Sequence, residues 1–373
     1  MEDFTFTYSD DPTPDEELAR RRARRAEARQ KRLEAQRRRN RQLLAAGAAV
    51  LVLGGSIFAY SAVSSGKGDD AIIPEKPVFS DASVPTSQDL EDFYEPYSPT
   101  SNSETIQLTD QIDSLYAVIL DLSNDTILAE KDAHAVISPA SMTKVLTLLV
   151  AAEQVEDLDD TFTMTIDITD YAYVNDCSVV GLMVGETVSI RELMYGTILP
   201  SGADAALGLA HYVSGSQEAF VELMNEKIEE LGLSDTAHFT NCVGLYDEAH
   251  KCTVYDMALI MKAAMENELC REVLKARTYE TAPTADHPEG QILSNWFLRR
   301  IEDKDNGGLE IVGAKTGYVT QSGSCAVSAG EDSEGNLYII ATGDAAGSWK
   351  CIYDHVALYH DYCSSPAAQA PAG

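Results

Sequence analysis

One stretch of this chain is apolar on every side, and that constrains the fold more than any other feature. Val145, Leu146, Leu148, Leu149, Val150, Ala151 and Ala152 are interrupted only by Thr147. A helix without a polar face must be surrounded, so a large core has to form around it. Pro139 suits the first turn of such a helix, because its φ is already helical and its missing N–H would be unbonded there anyway. Ser141 and Lys144, three residues apart, then share a face one turn apart. A Ser at a helix start is commonly a cap and a Lys one turn on is commonly solvated. A hydroxyl beside an amine is also a nucleophile beside a base. Taken alone, Ser-x-x-Lys favours the capping reading, although a solvated Lys sits poorly ahead of an apolar run.

The formal charge of -32 is unevenly spread. Residues 20–41 hold twelve Lys and Arg against Glu27 and Glu34, whereas residues 1–19 hold seven acids and no base. The basic block reads as a helix, and by itself would suit nucleic acid. It stops at Leu43, however, and everything beyond is strongly acidic, so no nucleic-acid partner is expected. From Leu43 to Val63 the chain is uncharged. As a helix this run would extend ~31 Å, matching a bilayer core of ~30 Å. Residues 43–63 are therefore expected to be a single transmembrane helix, with tail 1–42 cytoplasmic and the rest outside, because Lys and Arg stay on the cytoplasmic side. A cleaved signal peptide is the alternative. The basic and apolar runs are both longer than such peptides use, although the moderate hydrophobicity keeps cleavage near Ala59 to Ala62 open. Residues 64–104, with five prolines among Ser, Asp and Glu, read as a disordered linker. A folded domain is expected over 105–363 and a disordered tail over 364–373.

Within the domain, Leu115–Leu122 and Thr126–Glu130 flank Ser123-Asn124-Asp125 and read as a β-hairpin. Helices are expected at Ile190–Leu199, Ala203–Val213, Gln217–Leu231, Thr253–Glu266 and Ser348–Tyr362. Glu310–Lys315, Ser322–Ser328 and Leu337–Thr342 read as antiparallel strands joined by short turns. Strands at both ends and helices between them predict an α+β fold: one antiparallel sheet, built from N- and C-terminal strands, against a helical cluster. None of the seven cysteines forms a Cys-x-x-Cys pair. Cys242 and Cys252 bracket a turn-rich segment and suit either a local disulfide or two buried thiols. No metal or cofactor is expected; His355 and His360 are five apart, not the four that places two ligands on one helix face.

Two further short motifs bear on Ser141. Ser201-Gly202-Ala203 lies at the junction of two expected helices, and Lys315-Thr316-Gly317 ends an expected strand. Each is weak alone. Together, Ser-x-x-Lys, a Ser-led triplet and Lys-Thr-Gly in this order mark penicillin-recognising enzymes. From about Leu115 to Tyr362 the chain resembles the serine D-alanyl-D-alanine carboxypeptidases, the low-molecular-mass penicillin-binding proteins. The run Val180 to Leu193 resembles the family segment leading into the second motif. Thr240-Asn241-Cys242-Val243-Gly244-Leu245 resembles its Asn-Pro-x-Gly-Leu segment.

The resemblance implies a DD-peptidase/β-lactamase-like fold and a set of roles. Ser141 would attack the D-Ala-D-Ala carbonyl and form an acyl-enzyme, Lys144 would take its proton, and Ser201 would relay a proton to the leaving D-alanine. Lys315 and Thr316 would hold the terminal carboxylate of the peptide or of a β-lactam antibiotic, and Gly317 would let the strand approach. The N–H groups of Ser141 and Tyr318 would form the oxyanion hole. The substrate would be a peptidoglycan stem peptide, and the location a bacterial cell membrane. Acting as a base near pH 7 requires Lys144 to drop about three units from ~10.4, a bias of ~4 kcal/mol. Burial and a second ammonium, Lys315, push that way. Two departures stand out. Ala203 replaces the family's usual Asn, removing a hydrogen bond to substrate. The family often carries a C-terminal β domain and anchor, whereas here the N-terminal span is expected to be the anchor. A class A-type β-lactamase, with Glu153, Glu186 or Glu192 activating water, and a catalytically weak wall-binding scaffold are the alternatives.

Overall fold

The computed structural model describes residues 97–363. The basic tail, the 43–63 span, most of the linker and the C-terminal tail lie outside the described residues. Among the described residues no helix is long and apolar enough to cross a membrane.

Six strands form the main sheet in the order β1-β3-β2-β10-β9-β8. β2 (Tyr116–Asp121) and β3 (Thr126–Lys131) are the expected hairpin. β8 (Glu310–Val319), β9 (Gly323–Glu331) and β10 (Leu337–Ala345) are the C-terminal meander. β10 pairs with β2, Ile340 opposite Ile119, and so closes the two ends of the chain into one sheet. The sheet is not wholly antiparallel: β1 (Ile106–Gln107) runs parallel to β3 at one edge. β8 forms the other edge.

The sheet is buried on both faces, which explains why β2 reads as an unbroken apolar run. Val118 and Leu120 point into the larger core with the helical cluster. Ala117 and Ile119 point into a second core. At the centre of the larger core lies α1 (Thr143–Gln154), with every residue from Thr143 to Ala151 buried. Around it pack α3 (Ile190–Ile198), α4 (Ala203–Ser214), α5 (Gln217–Glu230), α6 (Val254–Glu266) and α7 (Glu268–Lys275). The second core holds α8 (Trp296–Ile301) and α9 (Ser348–Leu358), which ends in a short π-turn at Tyr359–Cys363. The arrangement is therefore helices, sheet, helices, where the sequence suggested a sheet against one cluster. Two small hairpins complete the fold: β4 (Thr161–Thr163) with β5 (Thr187–Ser189), enclosing α2 (Ile166–Val174), and β6 (Thr278–Glu280) with β7 (Ile292–Ser294).

Two local expectations change. The chain joins the domain before residue 105: Pro99 is buried and its carbonyl accepts a 2.9 Å hydrogen bond from Tyr255. Tyr97 lies under the Lys262 ammonium, 4.4 Å from its ring centre. Cys242 and Cys252 are not bonded; all seven cysteines are free thiols, and only Cys177 is not buried. The two turn-bracketing cysteines face the core as small apolar side chains. A thiol-specific reagent should therefore label one cysteine in the native protein and seven after denaturation. A Cys242–Cys252 bridge would leave only five to label in denaturant without reductant.

Candidate active site

Ser141 sits in a single 3-10 turn, Ala140–Met142, ahead of α1, which starts at Thr143 rather than at Pro139. Its hydroxyl caps nothing. The turn is tight: Met142 N–H donates to the Pro139 carbonyl at 3.1 Å. Ala140 is held at φ +47, a conformation L-residues adopt only under constraint. Two glycines supply that constraint. Gly244, at φ +84, lies so close that a Cβ there would come within 1.9 Å of the Ala140 carbonyl oxygen. Gly317 on β8 is similarly close; its Cβ would lie 3.0 Å from both Ala140 Cβ and the Pro139 oxygen. The glycine of Lys-Thr-Gly thus lets the edge strand lie against the Ser141 turn.

Lys144 is 2% exposed. Its Nζ lies 3.1 Å from Ser141 Oγ and donates to the Val243 carbonyl at 2.7 Å. That carbonyl is aimed by Asn241, whose Oδ1 accepts the N–H groups of Val243, Gly244 and Leu245. Behind the turn, burial lowers His250 to about 4, so its ring is neutral. His250 Nδ1 accepts from the Thr240 N–H at 3.0 Å, which leaves Nε2 to donate to Thr143 Oγ1 at 2.8 Å. Sequence reading recognised this segment by likeness; its work is to fix α1's first turn against the base.

Ser201 lies between α3 and α4 at φ +63, again a strained position. Lys315 Nζ, on β8, donates to Ser201 Oγ at 2.9 Å and to the Thr316 carbonyl at 2.8 Å. Asp204, buried one turn on, accepts the N–H groups of Val180, Gly181 and Leu182 and so ties that loop under the Ser201 turn. Ala203 is fully buried in the core and is not among the residues lining the cleft. Position 203 therefore faces packing rather than substrate.

Burial moves both lysines. Lys144 falls from 10.5 to about 8, chiefly by desolvation. Lys315 falls well below its ordinary value, first by burial and then by repulsion from Lys144. At pH 7 about a tenth of Lys144 is then neutral and able to accept a proton.

Ser141, Lys144, Ser201, Lys315, Thr316, Gly317 and Tyr318 all line one cleft of about 1210 Å3. Tyr318 is 67% exposed at its rim. Sequence reading did not single out Cys177, Trp296 or Arg300, which line the same cleft. A hydroxyl lies against a buried amine and is faced across the cleft by a second buried lysine on a sheet edge, an arrangement chemically suited to an activated serine.

Residues 101–345 match the family model described as D-alanyl-D-alanine carboxypeptidase, and the chain belongs to that family. D-alanyl-D-alanine carboxypeptidase DacF of Bacillus subtilis is 30% identical over 227 residues, covering 60% of this chain and 55% of DacF. DacC of Escherichia coli is 35% identical over 162 residues, covering 42% of this chain and 40% of DacC. The chain therefore spans only about half the length of these curated relatives. Among solved structures, a point mutant of a Streptomyces DD-transpeptidase superposes with a TM-score of 0.62 at 26% identity, covering 68% of this chain and 99% of that one. A D-alanyl-D-alanine carboxypeptidase from Mycobacterium tuberculosis superposes with a TM-score of 0.60 at 26% identity, covering 72% and 97%.

Proposed function

We propose that this chain is a serine D-alanyl-D-alanine carboxypeptidase, tethered to a bacterial cell membrane by residues 43–63, that trims peptidoglycan stem peptides and is acylated by β-lactams. The observation that carries the reading is Lys144 Nζ, buried and lowered to about 8, lying 3.1 Å from Ser141 Oγ. Neutral Lys144 takes the Ser141 proton as Oγ bonds to the carbonyl of the penultimate D-Ala. The N–H groups of Ser141 and Tyr318 receive the oxyanion. The C–N bond breaks, and Ser201 passes a proton to the departing amine. Water then hydrolyses the ester, giving the shortened peptide and restoring Ser141. Thr316 and Lys315 face the carboxylate end of the substrate.

The β-lactamase alternative needs a glutamate beside the acyl-enzyme. Glu186 is occupied by Thr284, His287 and the Met183 N–H, Glu192 by Ser189 and the Ala282 N–H, and Glu153 by Lys227. None of the three lines the cleft. The test treats the full-length chain with an N-acylated D-Ala-D-Ala peptide and, separately, with penicillin. Free D-alanine and a slowly hydrolysed adduct mapped to Ser141 are expected. Rapid penicillin turnover without peptide cleavage would favour a β-lactamase, and no adduct at all would favour a scaffold.

A further inference from the structure

A second cavity, of about 280 Å3, adjoins the catalytic cleft and takes no part in the chemistry above. Tyr116 at the start of β2 and Asp344 near the end of β10 line it, with the loop 136–138 that leads into the Ser141 turn, the segment 246–251 and the β8–β9 turn. Tyr246 and Gln321 line both cavities, so the two are neighbours across a shared divide.

Several polar groups of this cavity have no use within the fold. Asp344 lies in a bulge of β10, where the register with β9 shifts between Thr342 and Ala345, and its φ is +55. Bulges re-aim side chains and often adjoin functional sites. Asp344 is half-buried, yet among the described residues neither it nor the exposed Glu248 has a hydrogen-bond or ion-pair partner. Ser138 Oγ is buried and also without a partner. A buried hydroxyl left bare costs stability unless something comes to meet it.

The charge says what that would be. Asp247, Glu248 and Asp344 face only Lys251, and His250, lowered to about 4 by burial, adds no positive charge. The cavity therefore suits a cation. Among the described residues no three His, Cys, Asp or Glu side chains converge as a metal site. An ammonium on a flexible stem makes no such geometric demand.

Position supplies the rest. Lys315 and Thr316 face the carboxylate end of the peptide, and the Tyr318 N–H receives the scissile carbonyl oxygen. Moving along β8 from Thr316 to Tyr318 is thus moving up the substrate, away from its C-terminus. Beyond Val319, where β8 ends, the chain reaches Gln321 and the second cavity. An extended peptide advances ~3.3 Å per residue. The residue before the D-Ala-D-Ala pair is then the one placed to send a long side chain past Tyr246 and Gln321.

We infer that this cavity is a subsite for an amine-bearing side chain on the residue preceding D-Ala-D-Ala, with Asp344 and Glu248 receiving the ammonium and Ser138 offering a hydroxyl acceptor. The inference rests on the peptidase reading above. Asp344 and Glu248 are specificity residues and take no part in bond making.

The test compares Nα-acetyl-Lys-D-Ala-D-Ala with the same peptide acetylated at Nε, which keeps the stem and removes the charge. For the unmodified full-length chain, kcat/KM should favour the free amine roughly tenfold, mostly through KM. Asp344→Asn combined with Glu248→Gln should bring that ratio close to one. Glu248→Lys, a change on an exposed loop, should lower it as well. Damage to the fold would slow both peptides alike, so a ratio that none of these variants moves overturns the inference. Release of D-alanine from both peptides at equal kcat/KM by the unmodified chain also overturns it, and leaves the peptidase reading intact. Release from neither would sink the peptidase reading. Calorimetric titration with the same two peptides then decides: tighter binding of the free amine supports the subsite, and equal binding overturns it.

Discussion

Ser141→Ala should abolish both D-alanine release and covalent labelling by penicillin, a loss on the order of 10^4-fold or more, because it removes the hydroxyl that lies beside the Lys144 amine. Lys144→Arg separates charge from basicity at the same site. An arginine keeps the cation but cannot give up its proton near neutrality. Acylation should fall by at least about 10^3-fold while Ser141 remains in place. The unmodified enzyme should show a matching pH profile. The group in question is a lysine lowered to about 8 by burial, and its active form is the neutral one. The acylation rate should therefore rise about tenfold per pH unit below 8 and level off above it. Stopped-flow acylation between pH 6 and 10 checks this. A rate that falls through pH 8, or a Lys144→Arg variant that acylates at the normal rate, would contradict Lys144 as the base.

How much of this was legible from the residues depends on how far each relation reaches along the chain. Ser141 and Lys144 are three residues apart, so one helical turn brings them together, and the apolar run after them already argued against a solvated amine. The β2–β3 hairpin and the C-terminal meander were similarly local, each carried by short apolar runs and a turn signal. Lys315 meeting Ser201 is a contact across 114 positions. Only the motif order hinted at it; the contact is made by β8 lying on the sheet's edge beside the α3–α4 turn. Ala203 shows the opposite failure. As the last letter of a motif it looked like a missing substrate contact, yet it lies under the start of α4 in the core. Tyr97 and Pro99 looked like linker because prolines and acids surround them, and only their packing on Tyr255 and Lys262 draws them into the domain.

Gly244→Ala should be nearly as damaging as losing a catalytic group, although Gly244 does no chemistry. Two costs add there. The first is conformational: φ is +84, and an alanine in the left-handed region costs roughly 1–2 kcal/mol. The second is steric. The added methyl would sit 1.9 Å from the Ala140 oxygen, 2.3 Å from its carbonyl carbon and 2.8 Å from the Ser141 nitrogen. These are backbone atoms of the nucleophile's own turn, already strained at Ala140 and braced from the other side by Gly317, so no side chain can swing away to make room. The turn itself must move, and with it Ser141 Oγ relative to Lys144 and the Ser141 N–H. A displacement of about 1 Å at a reacting centre costs on the order of 100-fold. Penicillin acylation should therefore drop by at least that factor, and the steric term should add about 1–3 kcal/mol of lost stability to the conformational one. Gly185→Ala is the control. Its φ of +86 is nearly the same, but nothing lies within 4 Å of the new methyl. It should show the conformational cost in a thermal melt and leave acylation untouched, because the exposed Gly185 is not among the residues lining the cleft. If the two variants melt and acylate alike, the close approach of Gly244 to the Ser141 turn is not what holds the nucleophile in place.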